Sequence, residues 1–225
     1  SRLEQLRLAG TPAKAIIAVQ IFGQCCDMDP LLGLAAEYGV PVIEDACESL
    51  GAEYCGRPAG SFGLASVFAF YPNKQITTGE GGMLVTDDPA ADELFRSLRN
   101  QGRDNAGTWL NHVRLGYNYR LDELSAALGL AQVERSSEIL AKRQRVADGY
   151  AQRLARIPGV TAPYAVPYTT RMSWFVYVVR LAEPRRGKVI AALEARGVPA
   201  RPYFKPIHLQ PYYRERFGFG PGMYP

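Results

Sequence analysis

Four short, almost purely apolar runs, spaced by segments that begin or end on glycine and proline, limit most tightly what this chain can fold into. They are Ala15-Ile16-Ile17-Ala18-Val19, Pro41-Val42-Ile43, Ser66 to Phe70 and Met83-Leu84-Val85-Thr86. A continuous apolar run, rather than one alternating with polar residues, marks a strand covered on both faces. Between the first two runs, Asp29 followed by Pro30 predicts a helix cap and first turn. Leu34, Ala35, Ala36 and Tyr38 carry that helix to Gly39, which stops it. Strand, helix, strand in this order implies an α/β domain built on a mostly parallel sheet.

The remaining segments extend the pattern. Gly51 to Gly63 reads as loop with a hairpin at Cys55-Gly56-Arg57-Pro58, and Ala90 to Leu98 as helix. Gln101 to Asn118 shows little periodicity and many polar and aromatic residues, a composition common in functional loops. Leu121 to Tyr150 is helical by its apolar spacing, with a break expected near Ser136-Ser137. Beyond Pro158-Gly159, Trp174 to Val179 predicts a strand, Lys188 to Arg196 a helix ending at Gly197, Val198 to Tyr203 an extended piece and Phe217 to Pro225 a loop. These suggest a large domain over residues 1–135 and a smaller α+β lobe over 136–225.

Composition excludes several classes. With 47% hydrophobic and 21% charged residues in 225, a packed core is expected. The net charge of +4 is spread over small clusters, so no nucleic-acid partner is expected. No run approaches the ~18 apolar residues of a membrane span. Cys25, Cys26, Cys47 and Cys55 match no zinc spacing; free thiols, no metal and a cytoplasmic location are the expectation.

Two features carry chemistry. Glu44-Asp45-Ala46 follows the second run, and ligands of open α/β sheets bind beyond the carboxyl ends of strands. Taken alone, Asp45 also reads as a turn or helix cap. Asn73-Lys74 follows the third run and precedes Thr77-Thr78-Gly79-Glu80-Gly81-Gly82, a turn whose glycines admit close backbone approach. Taken alone, Lys74 also reads as a surface lysine, and the lysine precedes the glycines, unlike a P-loop. Together, an amine and a carboxylate at two strand ends are what pyridoxal 5'-phosphate chemistry needs: one to bind the aldehyde, one to keep the pyridine nitrogen protonated.

The text VIEDACESLGAEYCGRPAGSFG, then FAFYPNKQITTGEGGMLVTDD, LGYNYRLDELSAALGLAQVER and RPYFKPIHLQPYYRERFG, resembles the DegT/DnrJ/StrS family of sugar aminotransferases, in order and spacing, over nearly the whole chain. NKQITTGEGG with Glu48 is most similar to its perosamine-synthase-like members. The resemblance implies the aspartate-aminotransferase fold (fold type I), a homodimer with shared active sites, and pyridoxal phosphate bound to Lys74. It further implies Asp45 at the pyridine nitrogen, Glu48 near the ring hydroxyl and Asn118 reaching the phosphate of the partner subunit. His208 falls where the family approaches the sugar nucleotide, though a packed rim histidine reads equally well. The implied reaction moves an amino group from L-glutamate to a nucleotide-linked keto-deoxysugar, a 4-keto-6-deoxyhexose.

Three departures stand out. Ala69 occupies a position where many members carry a phosphate-binding serine, and Gln20 one where many carry histidine. The family's N-terminal segment, with its phosphate-binding turn and ring-stacking aromatic, has no counterpart, which implies an internal piece of a longer protein. Two alternatives share the resemblance: a sugar dehydratase branch, which carries histidine where Lys74 stands, and a non-catalytic regulatory or binding member. No GxGxxG follows the first run, so a Rossmann dehydrogenase is not implied.

Overall fold

A computed structural model describes residues 2–104, 109–181 and 185–224. The chain runs α1 (Arg2–Leu8), β1 (Ile16–Val19), α2 (Met28–Tyr38), β2 (Val42–Asp45), β3 (Glu53–Tyr54), β4 (Arg57–Pro58), β5 (Ala65–Ala69), β6 (Gly82–Val85) and α3 (Pro89–Arg99). It continues through α4 (Glu123–Glu134), α5 (Ser136–Leu154), β7 (Val160–Thr161), β8 (Thr169–Arg171), β9 (Arg180–Leu181), α6 (Arg185–Glu194) and α7 (Pro211–Phe217). Single 3-10 turns occupy Ile21–Gly23 and Ile207–Leu209.

The four apolar runs form one sheet in the order β1-β2-β5-β6. β1, β2 and β5 are parallel, with Val19 beside Asp45 and Asp45 beside Val67. β6 returns antiparallel, placing Gly82 opposite Ala69. The sheet is therefore mostly parallel, as its continuous apolar strands imply.

Helix ends follow local chemistry. Gly39, at φ 63°, closes α2 by donating its N–H to the Ala35 and Ala36 carbonyls. The start of α2 lies earlier than Asp29-Pro30 implies: Asp27 is the cap residue, and its carboxylate takes the Tyr54 hydroxyl proton at 2.8 Å instead of a helix amide. Asp88 caps α3 by accepting from the Ala90 and Ala91 amides at 2.8 and 2.9 Å, with Pro89 in the first turn. The long helical stretch breaks at Arg135, between α4 and α5.

One face of the sheet carries the core. Ala18 and Val42 pack with Met28 and Ala35 of α2 and with Ala52, Tyr54, Ala59 and Phe62 of the loop after β2. On the other face Ile17 is 67% exposed and Val19 48%. The cover on both faces that the runs call for is thus present within these residues on one side alone.

The segment from Trp174 to Val179 is not a strand. Ser173 donates its amide to Gly23 O at 2.9 Å, and Trp174 takes a left-handed φ of 51°. Arg143 of α5 then claims the Trp174 and Phe175 carbonyls. With Trp174 in a left-handed conformation and its carbonyl, like that of Phe175, turned to the guanidinium, the start of the segment leaves the extended geometry a strand ladder needs. The β-branched and aromatic pattern predicted packing correctly and pairing wrongly, since Phe175 is buried while the ladder is absent. The tail also holds a helix, α7, with Pro211 in its first turn and Gly218 at φ 66° after it.

Candidate active site

The site is built on two adjacent residues with opposite orientations. Side chains alternate along β2, so Val42 and Glu44 face the core and Ile43 and Asp45 face away from it. Glu44 is fully buried, no ion pair reaches it among the described residues, and four donors hold it. These are Gln20 Nε2 at 2.8 Å, Gly60 N at 3.0 Å, Phe62 N at 2.6 Å and Ser66 Oγ at 3.0 Å. Gln20, itself fully buried, also accepts the Cys26 amide at 2.6 Å. Here glutamine completes a network that fixes the carboxyl end of β2 against the loop over 59–62.

Asp45 ends β2 and accepts the Cys47 amide at 3.1 Å through Oδ1, an Asx-type turn that leads the chain off the strand. Lys74 stands in the loop after β5, the neighbouring strand, its amide bonded to Tyr71 O at 3.0 Å. The Cys47 thiol, which donates to Val67 O at 3.7 Å, feels the charges of both. Burial pushes it up to about 12, its hydrogen bond to Asp45 and the Asp45 charge push it the same way, and the Lys74 charge pulls it down. Asp45 and Lys74 therefore act on one thiol beyond the ends of adjacent strands, where open α/β sheets hold ligands.

Glu48, three residues after Asp45, meets Lys74 directly, with Oε1 3.7 Å from Nζ and both side chains largely shielded. Its other oxygen accepts the Phe22 amide at 3.0 Å. Tyr203, from the extended segment near the C-terminus, donates its hydroxyl to Glu48 Oε1 at 3.1 Å. Burial and then the Glu48 charge push that phenol up to about 12, so it stays a donor. The Tyr203 and Phe22 rings meet edge to face with centroids 4.7 Å apart. Lys74 Nζ also lies over the Phe175 ring, 4.3 Å from its centroid.

Two other expected residues lie elsewhere. Asn118 is exposed and bridges Asn100, on a segment tied to the end of α3 by Tyr117 N to Leu98 O and Tyr119 N to Arg99 O, each 2.8 Å. His208 lies in the turn before α7, half-buried, with its ring 5.1 Å from that of Tyr224. Ala69, at the end of β5, brings no donor. Two surface grooves border neighbouring segments. One of about 470 Å³ is bounded by Leu50, Gly51, Leu140 and Arg171, and one of about 390 Å³ by Arg143, Trp174, Phe175 and Tyr177. Lys74 lines neither.

Sequence reasoning named Lys74, Asp45 and Glu48 as candidates and did not name Phe22, Arg143, Phe175 and Tyr203, which the structure places against Lys74 or Glu48. Tyr203 stands within the quoted block RPYFKPIH, and an aromatic in a block that specific was a usable signal. Phe22, Arg143 and Phe175 gave none, because each acts through a backbone group or a ring face.

The geometry fits pyridoxal phosphate in its donor set: one shielded amine, one strand-end carboxylate, and a second carboxylate beside the amine. Comparison with known proteins agrees. GDP-perosamine synthase of Caulobacter vibrioides is 47% identical over 205 residues, covering 89% of this chain and 54% of that protein. DesV of S. venezuelae, solved in complex with a ketimine intermediate, superposes with a TM-score of 0.83 at 35% identity, over 90% of this chain and 54% of that one. A DegT DnrJ EryC1 StrS aminotransferase from Brucella abortus superposes at 0.86 with 30% identity, over 94% and 56%. The chain thus spans about half the length of the relatives it matches. The family's model matches residues 5–225, and the chain belongs to the DegT/DnrJ/EryC1/StrS aminotransferase family, whose fold is that of the type I pyridoxal-phosphate enzymes.

Proposed function

We propose that the whole protein is a pyridoxal-phosphate-dependent aminotransferase that moves an amino group from L-glutamate to a nucleotide-linked 4-keto-6-deoxyhexose. The observation that carries this reading is the Lys74 amine 3.7 Å from Glu48, with Asp45 at the end of β2, the strand paired with the β5 strand that leads to Lys74. The cofactor, when bound, supplies a ring that accepts the electron pair left when a substrate carbon loses its proton. Lys74 would hold the cofactor at its aldehyde carbon and, once displaced by the amino donor, carry the proton at Nζ between the donor carbon and the cofactor carbon. Asp45 would hold the proton on the pyridine nitrogen, and Glu48, steadied by Phe22 N and Tyr203, would face the ring hydroxyl.

Identity of 47% to a GDP-perosamine synthase supports the sugar-nucleotide class. A homodimer belongs to the same reading. α4 buries none of its side chains, Leu124 and Leu130 on it are 85% and 63% exposed, and Asn118 sits just before it on an exposed segment. Such apolar exposure calls for cover, and a second copy would bring its Asn118 toward a phosphate. His208 would lie toward the sugar nucleotide.

The test is Lys74→Ala in the full-length protein. Loss of the visible absorbance of the lysine–cofactor bond, with loss of the borohydride-trapped mass on the peptide containing residue 74, is expected. Retained absorbance, or trapping at another lysine, overturns the reading.

A further inference from the structure

Arg143 of α5 reaches the loop of Lys74 with its side chain. Its Nη1 donates to Trp174 O at 2.9 Å and to Phe175 O at 3.2 Å, and its Nη2 reaches Lys74 O at 3.4 Å. Among the described residues no carboxylate pairs with it. A guanidinium drawn half out of water and answered by carbonyls alone is an expensive arrangement; burial pulls it down from its ordinary value. Its planar fork suits the task, because a left-handed Trp174 turns two successive carbonyls toward one donor group.

What those carbonyls belong to gives the arrangement its meaning. One is the backbone of the residue bearing the amine. Another is the backbone of Phe175, whose ring, 8% exposed, lies against that amine. Arg143 thus joins both partners of the Lys74–Phe175 contact through their main chains. The same turn is tied to Glu48 from the other side: Gln75 Nε2 donates to Glu48 O at 2.6 Å and to Ser173 Oγ at 2.8 Å. Gly23 closes the back, where a Cβ would stand 2.7 Å from Ser173 Oγ and 2.8 Å from Trp174 N.

We infer that Arg143 is a positioning residue for the Lys74 amine, holding the Lys74 backbone and the Phe175 ring in the one register that aims the amine at the cofactor. The inference rests on the proposed binding of pyridoxal phosphate at Lys74. Lys74 would hold the cofactor through its amine nitrogen, and Arg143 would serve that bond by keeping the Lys74 main chain and the Phe175 ring in place.

Two ligands separate positioning from general support. Pyridoxal phosphate needs the amine to bond covalently; pyridoxamine phosphate fills the same site without that bond. In the full-length protein, Arg143→Met is expected to weaken pyridoxal phosphate roughly tenfold while leaving pyridoxamine phosphate within about twofold, by titration followed in absorbance and calorimetry. Arg143→Lys, which keeps the charge but not the fork, is expected to fall between Met and wild type, and it decides the matter alone should Arg143→Met fail to fold. Equal losses for both ligands, or no loss for either, overturn the inference. Failure of the wild-type protein to form any bond at Lys74 instead overturns the proposed function, so the two failures are distinct.

Discussion

Glu44 and Asp45 are consecutive residues of β2 that face opposite sides of the sheet, the first wholly buried under four donors and the second at the edge beside Cys47. The twofold alternation of a strand thereby locks one carboxylate into the core and turns its neighbour away from it, toward the strand end.

Substitution should expose that division. Glu44→Leu leaves the Gly60 and Phe62 amides, Gln20 and Ser66 without their acceptor, and a loss of about 2–5 kcal/mol in urea-denaturation stability is expected. Asp45→Asn should leave the urea midpoint nearly unchanged and weaken pyridoxal phosphate in the full-length protein. Equal stability losses for the two would show that the faces do not divide the roles.

Gly23→Ala offers a second check. Gly23 sits at φ 87°, and its added Cβ meets Ser173 Oγ, Trp174 N and Phe175 N within 3.0 Å. The conformational cost alone is about 1 kcal/mol, and the turn against Lys74 must move. Thermal unfolding should drop, and cofactor loading at Lys74 should slow; a melting temperature at or above wild type would contradict the close approach.

Tyr203→Phe removes the hydroxyl that reaches Glu48 and keeps the ring against Phe22. A loss of about 0.5–1.5 kcal/mol is expected for one such hydrogen bond. Its local effect should be faster amide exchange in the extended segment around Tyr203, with little change in α2. Uniform exchange changes would mean that the hydroxyl does not anchor this segment.

Alkaline pH should destabilise the fold through its thiols. Burial, then the Glu44 charge, pushes Cys25 from 9.0 up to about 12, and burial with Asp45 does the same to Cys47. Between these values the folded chain keeps protons that the unfolded chain releases. The stability they confer is full below about 9 and is lost as pH climbs toward about 12. The urea midpoint should fall between about pH 8 and about pH 10.5, and by less in a Cys25→Ala variant. A midpoint flat across this window would contradict the burial of these thiols.

The sequence by itself determined the sheet. Four continuous apolar runs and Gly39 specify strands and a helix stop, because local propensity and capping act within a few residues. It also marked Asp45 and Lys74 as candidates by their places after two strand runs, and Glu48 through the family resemblance. Only the tertiary structure decided what surrounds that amine. Trp174 to Val179 has the composition of a strand, yet its first two carbonyls go to a guanidinium some thirty residues earlier in the chain. Phe22, Phe175 and Tyr203 come from three distant segments, and no local pattern encodes contacts made through a backbone amide, a ring face or a hydroxyl. Such contacts depend on which segments the packed core brings together, and the free energy that selects them is that of the whole fold.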